Sequence, residues 1–156
     1  MDTVTYPDPE VQRELRASFT GLGIDLLARH PDLKEVSGAQ RIMFAPTFVF
    51  RDKGRELRRF TGWLPPRAFR AEILLVRALA AQQRGDFAAA RGLCEEVGAR
   101  FPDTPAAPEA LYWQGIAGFL AGGKDLAALR VAWEELARAH PQSRFGIHAS
   151  VIADAR

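Results

Sequence analysis

The stretch Phe44–Trp63, "FAPTFVFRDKGRELRRFTGW", decides how this chain is read. With "RIM" before it, its first part is aromatic, β-branched and nearly continuous in apolar side chains, the pattern of a strand. "RDKG" then supplies a hairpin turn, with Gly54 free to take the positive φ that such turns need. "RELRRFTG" is the return strand. Its alternation, Arg55, Leu57 and Arg59 against Glu56, Arg58 and Phe60, is imperfect, as befits an edge partly open to water. "WLPP" ends the sheet and opens a helix at Pro66.

Working outward, "YPDPEVQRELRASF" carries a helix start. Asp8 can cap it, Pro9 suits the first helical position, and Glu10 favours the positive end of the helix dipole. Val11, Leu15, Ser18 and Phe19 fall on one side. "FTGLGIDLL", broken by Gly21 and Gly23, is expected to form a weak strand ending near Asp25. "HPDLKEVSGAQ" reads as a short helix or turn, with Pro31 near its start and Gly38 after its end.

Beyond Pro66 the chain is wholly helical. "RAFRAEILLVRALAAQQRG" places Phe69, Ile73, Leu74, Val76, Leu79 and Ala80 on a stripe. Three more helices follow in "DFAAARGLCEEVGARF", "PEALYWQGIAGFLAGG" and "KDLAALRVAWEELARAH", and a short fifth in "SRFGIHASVIADAR". Gly85 and Gly122 end two first helices; Pro102 and Pro141 follow two second helices, as "FPDT" and "HPQS". Helix–turn–helix units of roughly 37 to 39 residues read as tetratricopeptide-like repeats. "RGDFAAARGLCEEVGARFPDT" resembles the second half of such a repeat.

Apolar residues make up 47% of the 156 and charged residues 26%, so the chain can bury a core and is not disordered. Residues 1–66 carry 10 basic and 9 acidic side chains, and residues 67–156 carry 11 and 10, giving the net +2. Neither part is polarised, which argues against a nucleic-acid partner. A single cysteine, Cys94, excludes an intramolecular disulfide and a multi-cysteine zinc site. No apolar run is long enough to span a membrane. "MDTVTYPDPE" has neither the basic nor the apolar region of a signal peptide, so the expected location is cytoplasmic.

Residues 3–75 resemble a thioredoxin-family domain. "TYPDPEV", "GID", "APTFVF", "DKGRE" and "RFTGWLPP" carry the resemblance, in the family's order. Thioredoxin-like proteins whose last helix runs into tetratricopeptide-like repeats are similar over nearly the whole chain, down to "APEALYW" at Ala107–Trp113. The resemblance implies an α/β then all-α architecture: an incomplete thioredoxin-like fold over 1–75, followed by tetratricopeptide-like helical hairpins over 76–156. It also implies descent from thiol–disulfide oxidoreductases, which act through a Cys-x-x-Cys pair at a helix N-terminus, where the dipole lowers the thiol pKa. In that family a cis-proline loop faces the cysteines, and its backbone pairs with the substrate peptide. "FAPTF" matches that loop. Pro46 is thus the expected cis-proline, and Ala45, Pro46 and Thr47 are the expected substrate-binding residues. Asp25 matches a strand-end position and is read as structural.

The departure from the family is the cysteine pair itself. By the resemblance it would lie just upstream of Met1, and the strand that bears it would lie between those matching "FTGLGID" and "MFAPTFVF". The chain is therefore expected to be redox-inactive by its own residues, with no catalytic residue, no cofactor and no metal. The alternative is a non-catalytic module that binds a protein or peptide partner through the helical repeats and the exposed sheet edge. Self-association through that unpaired edge is also expected.

Other residues carry less. Cys94, mid-helix beside Leu93 and Val97, reads as an inert small hydrophobe. His30, His140 and His148 are too scattered for a metal site. "RDKGRELRR" reads as a solvated, edge-protecting hairpin before it reads as a nucleic-acid surface. Tyr112, Trp113 and Trp133 are read as packing between helices, with a concave peptide groove as the functional alternative.

Overall fold

A computed structural model describes residues 1, 3–28, 30–38 and 40–154. Ala39 in the short helix–turn stretch and Ala155–Arg156 at the end of the last expected helix lie outside them. Two compact units divide the chain, Met1–Pro66 and Arg67–Arg156. The first is a mixed unit with a two-stranded antiparallel sheet, and the second is helical.

In the first unit, helix α1 spans Pro9–Ser18. The Asp8 carboxylate accepts from the Glu10 and Val11 amides at 2.9 and 3.0 Å, satisfying donors that a helix start leaves without partners. Val11 is fully buried. Short helix α2, Leu33–Ser37, ends at Gly38 with φ +59°. Strand β1 spans Thr47–Asp52 and β2 spans Arg55–Thr61. The turn between them has positive φ at both Lys53 and Gly54, the mirror-image turn whose twist matches a hairpin. The register shifts between Phe50 and Arg51: Phe50 faces Arg58 while Arg51 faces Glu56, leaving Leu57 as the extra residue of a bulge.

One face of the hairpin is aromatic. Phe48 and Phe60 stack at 4.8 Å, Phe50 lies 6.0 Å from Phe60, Phe19 meets Phe50 edge-on at 5.4 Å, and Tyr6 reaches Phe48. Near its other face, the C-terminal carbonyls of α2 receive arginines. Arg59 donates to the Ser37 carbonyl at 2.9 Å, and Arg51 to that of Glu35 at 3.4 Å. Thr5, fully buried, donates to the Leu64 carbonyl at 2.7 Å and ties the N-terminal segment to the end of the sheet.

Two expectations are corrected. Phe19–Asp25 forms no strand: no described segment pairs with it, and Gly21 and Gly23 make an unpaired extended run costly to hold. The strand expected from Arg41 begins only at Thr47, after a bend over residues 44–46.

In the second unit, α3 (Pro66–Gln83), α4 (Phe87–Arg100), α5 (Ala106–Ala121) and α6 (Leu126–Ala139) follow one another through short loops. The last expected helix is two, α7 (Arg144–Ala149) and α8 (Val151–Asp154). Asp86, Asp125 and Ser143 cap α4, α6 and α7 through their side chains. Helix α3 is buried far beyond a stripe. Ala71, Leu74, Leu75 and Ala78 share a core with Cys94, Val97, Phe101, Ala106 and Ala110, and Phe69, Ile73 and Val76 are buried as well. Phe101 sits at the C-terminal end of α4 under the guanidinium groups of Arg67, Arg70 and Arg100, 5.0 to 5.5 Å from its ring. Arg67 also grips Asp103 with two nitrogens, at 2.7 and 3.0 Å, and donates to the Arg100 carbonyl at 2.7 Å. That contact holds the Asp103 carboxyl below its ordinary value.

Candidate functional site at the open end of the hairpin

The loop before β1 and the exit of β2 meet. The Gly62 amide donates to the Pro46 carbonyl at 2.9 Å, and Gly62 has φ +109°. The Thr47 hydroxyl donates to the Phe44 carbonyl at 2.6 Å and lies 2.9 Å from that of Thr61. The Ala45–Pro46 peptide is cis. These bonds bring Ala45, Pro46 and Thr47 to one end of the hairpin, beside the residue before Trp63.

That end is apolar and open. Met43 is 78% exposed, Phe44 64% and Trp63 55%. Large apolar side chains left facing water near one end of an element are candidates for a binding surface. The sequence reading singled out the Ala45–Thr47 backbone and not these flanking side chains. Their signal was present in "MFAP" and "GW", but nothing local tells whether an aromatic at a strand end turns inward.

Among the described residues strand β1 pairs on one side only. The Gly62–Pro46 bond fixes which residues face β2. Pro46 only accepts, and the alternation that follows from its bond makes positions 48 and 50 exchange bonds with β2, so Thr47, Val49 and Arg51 turn their amides and carbonyls away. Among the described residues no loop backbone bonds to those groups.

The hairpin arginines are partly spent. Arg59 holds Glu56 through two nitrogens, at 2.6 and 2.9 Å, which lowers the Glu56 pKa and raises that of Arg59.

The one thiol is elsewhere. Cys94 is 1% exposed in the α3–α5 core. Burial first, then the nearby Glu109 and Glu95 charges, push its pKa up to about 12. A thiol so placed is neutral and shielded at physiological pH, the opposite of an attacking thiolate. Among the described residues no group of three or more His, Cys, Asp or Glu side chains could hold a metal ion. His140 ends α6, His30 accepts from the Asp32 amide at 3.2 Å, and His148 lies on α7 against Tyr112. Among the described residues no helix is long and apolar enough to cross a membrane.

On the helical unit, Tyr112 stacks on Trp133 at 4.8 Å and lies 5.4 Å from Phe145, and Trp133 donates to the Tyr112 carbonyl at 3.1 Å. Trp113 packs against the core and donates to Glu109 at 3.3 Å. A groove of about 250 Å³ does lie across α4, α5 and α6, with Arg91, Gln114, Gly118 and Val131 among its walls, and none of the three aromatics lines it.

Comparison with protein-family models, with curated proteins and with solved structures returns no match.

Proposed function

We propose that this chain is a non-catalytic, partner-binding member of the thioredoxin-like lineage, with tetratricopeptide-like helices after its sheet unit. It captures an extended apolar segment of a protein at Ala45, Pro46 and Thr47, flanked by Met43, Phe44 and Trp63. The observation that carries this reading is the exposure of those three large side chains at the end where the Pro46 carbonyl and the Gly62 amide meet. Thiol–disulfide exchange by this chain's own residues is disfavoured by the burial of its only cysteine, which needs a second thiol to resolve a mixed disulfide.

Two measurements test it. Fluorescein-labelled, alkylated insulin B chain serves as an extended apolar probe, read by anisotropy. Binding in the micromolar range is expected, weakened about tenfold or more in Phe44→Ser and in Trp63→Ser, the loss typical of a buried aromatic anchor. Equal binding by wild type and both variants overturns the site. Insulin reduction with dithiothreitol is expected to run at the uncatalysed rate with wild type and with Cys94→Ser alike. Turnover lost in Cys94→Ser overturns the non-catalytic reading.

A further inference from the structure

We infer that β1 is also a self-recognition edge: two copies of this chain pair β1 against β1 in antiparallel fashion and form a continuous four-stranded sheet. The backbone argues it first. Thr47, Val49 and Arg51 point their amides and carbonyls away from β2, so the edge is a ready template. Natural edges are usually guarded by a central charge, a proline or a covering segment. Here the central residue is Val49, Pro46 lies outside the strand, and no described loop backbone bonds to the edge.

Symmetry then fixes the register. A two-fold axis normal to the sheet keeps each side chain on its own face, so paired positions must sum to an even number. Centring on Val49 is the longest choice: Val49 pairs with Val49 of the second copy, and Thr47 pairs with Arg51 in both directions. This makes about six backbone bonds, because all three are outward-facing positions. Centring on Phe50 would keep only the two Val49–Arg51 pairs, about four bonds; centring on Arg51 would set Arg51 against Arg51; and slipping the other way runs into the Pro46 bend. In the centred register each Arg51 faces a neutral Thr47. On the other face Phe48 stands opposite Phe50, extending the aromatic row already built by Phe48, Phe50 and Phe60. A foreign strand would have to supply this same pattern, aromatic on one face and small or uncharged opposite Arg51, and β1 itself does. An edge-to-edge contact of this kind is small, so the dimer is expected to dissociate on dilution.

The inference shares Thr47 with peptide capture but is tested apart from it, since it is read at Val49 in the middle of β1 and capture is read at the side chains of Phe44 and Trp63. Light scattering on the full chain at about 100 µM is expected to give about twice the 17.2 kDa of one chain, falling toward one on dilution. Val49→Pro removes an amide that β2 does not use, so it should give a single-chain mass with unchanged far-ultraviolet circular dichroism. Cross-linking tests the register without needing that variant to fold. In a Cys94→Ser background, Val49→Cys should form a disulfide-linked dimer under oxidised glutathione, because the paired Cα atoms would lie about 5.5 Å apart, within disulfide reach. Thr47→Cys should not, its two copies being roughly 13 Å apart. A single-chain mass at every concentration overturns the inference. So does a dimer unaffected by Val49→Pro that fails to cross-link at Val49, a cross-link at Thr47 in its place, or a mass between one and two chains from a bound foreign peptide.

Discussion

The behaviour of Cys94 turns first on burial and then on the Glu109 and Glu95 charges. Its thiol pKa rises from 9.0 to about 12 in the folded protein. Above pH 9 the unfolded chain loses this proton while the folded chain keeps it, so stability falls as pH rises toward about 12. The slope is roughly 1.4 kcal/mol per pH unit from this group. Urea unfolding from pH 8 to 11 should therefore decline less steeply in Cys94→Ala than in wild type, and parallel declines would refute the assignment. The glycines make a second residue-scale test. A Cβ on Gly146 would lie 2.0 Å from the His140 carbonyl oxygen, and one on Gly115 would lie 2.8 Å from Trp133 Cδ1. Gly92 and Gly98, both within α4, have nothing within 4 Å. Gly146→Ala should cost about 3 kcal/mol or more, and Gly115→Ala about 1 to 3 kcal/mol as Trp133 is pushed off Tyr112. Gly92→Ala and Gly98→Ala should stabilise by about 0.5–1 kcal/mol through helix propensity. Thermal denaturation followed by circular dichroism reads all four, and a common sign across them would show that packing does not decide these sites.

At the scale of elements, the hairpin turn gives a prediction of its own. Both Lys53 and Gly54 have positive φ, at 47° and 81°, and lysine pays for that conformation where asparagine does not. Lys53→Asn should raise stability by about 0.5 kcal/mol and Gly54→Ala should lower it by about 1 kcal/mol. Chemical denaturation of the two variants checks the pair, and a stabilised Gly54→Ala would mean the turn is of another type. Such elements were legible because their signals are local: Asp8 before Pro9, Gly54 in the turn, Pro102 and Pro141 after α4 and α6. What was not legible depended on partners distant in sequence. "FTGLGID" has the side chains of a strand, but a strand exists only where a neighbour takes its backbone bonds. In α3, "EILLVRALAA" gives a stripe, yet Leu75 and Ala78 off that stripe are buried too, because helices arriving later in the chain cover them. The candidate site divides the same way. The Pro46 loop was readable from its neighbours in sequence, whereas the exposure of Met43, Phe44 and Trp63 depends on what the rest of the unit leaves uncovered.

For the whole molecule, the consequence is a steep gradient of local stability between segments. Helices α3, α4 and α5 share a buried core, and Asp86 and Asp125 cap α4 and α6. The described residues of 20–46 have only the short helix α2 as regular structure, they bury no large apolar side chain fully, and Leu22, Leu27, Met43 and Phe44 face water. Local opening costs little where few buried contacts and backbone bonds must break. Amide hydrogen exchange read by mass spectrometry should therefore find peptides from residues 20–28 and 40–46 exchanged within seconds. Peptides from α3 and α5 should be slower by about three orders of magnitude or more, the factor that roughly 4 kcal/mol of opening free energy supplies. Between these extremes, the β1 amides should split by parity. Phe48 and Phe50, bonded to β2, are protected at every concentration. Val49 and Arg51, which face outward, gain protection only as the protein concentration rises. Protection of residues 20–28 equal to that of α5 would mean this segment has a backbone partner, and the open hairpin would then no longer describe the molecule.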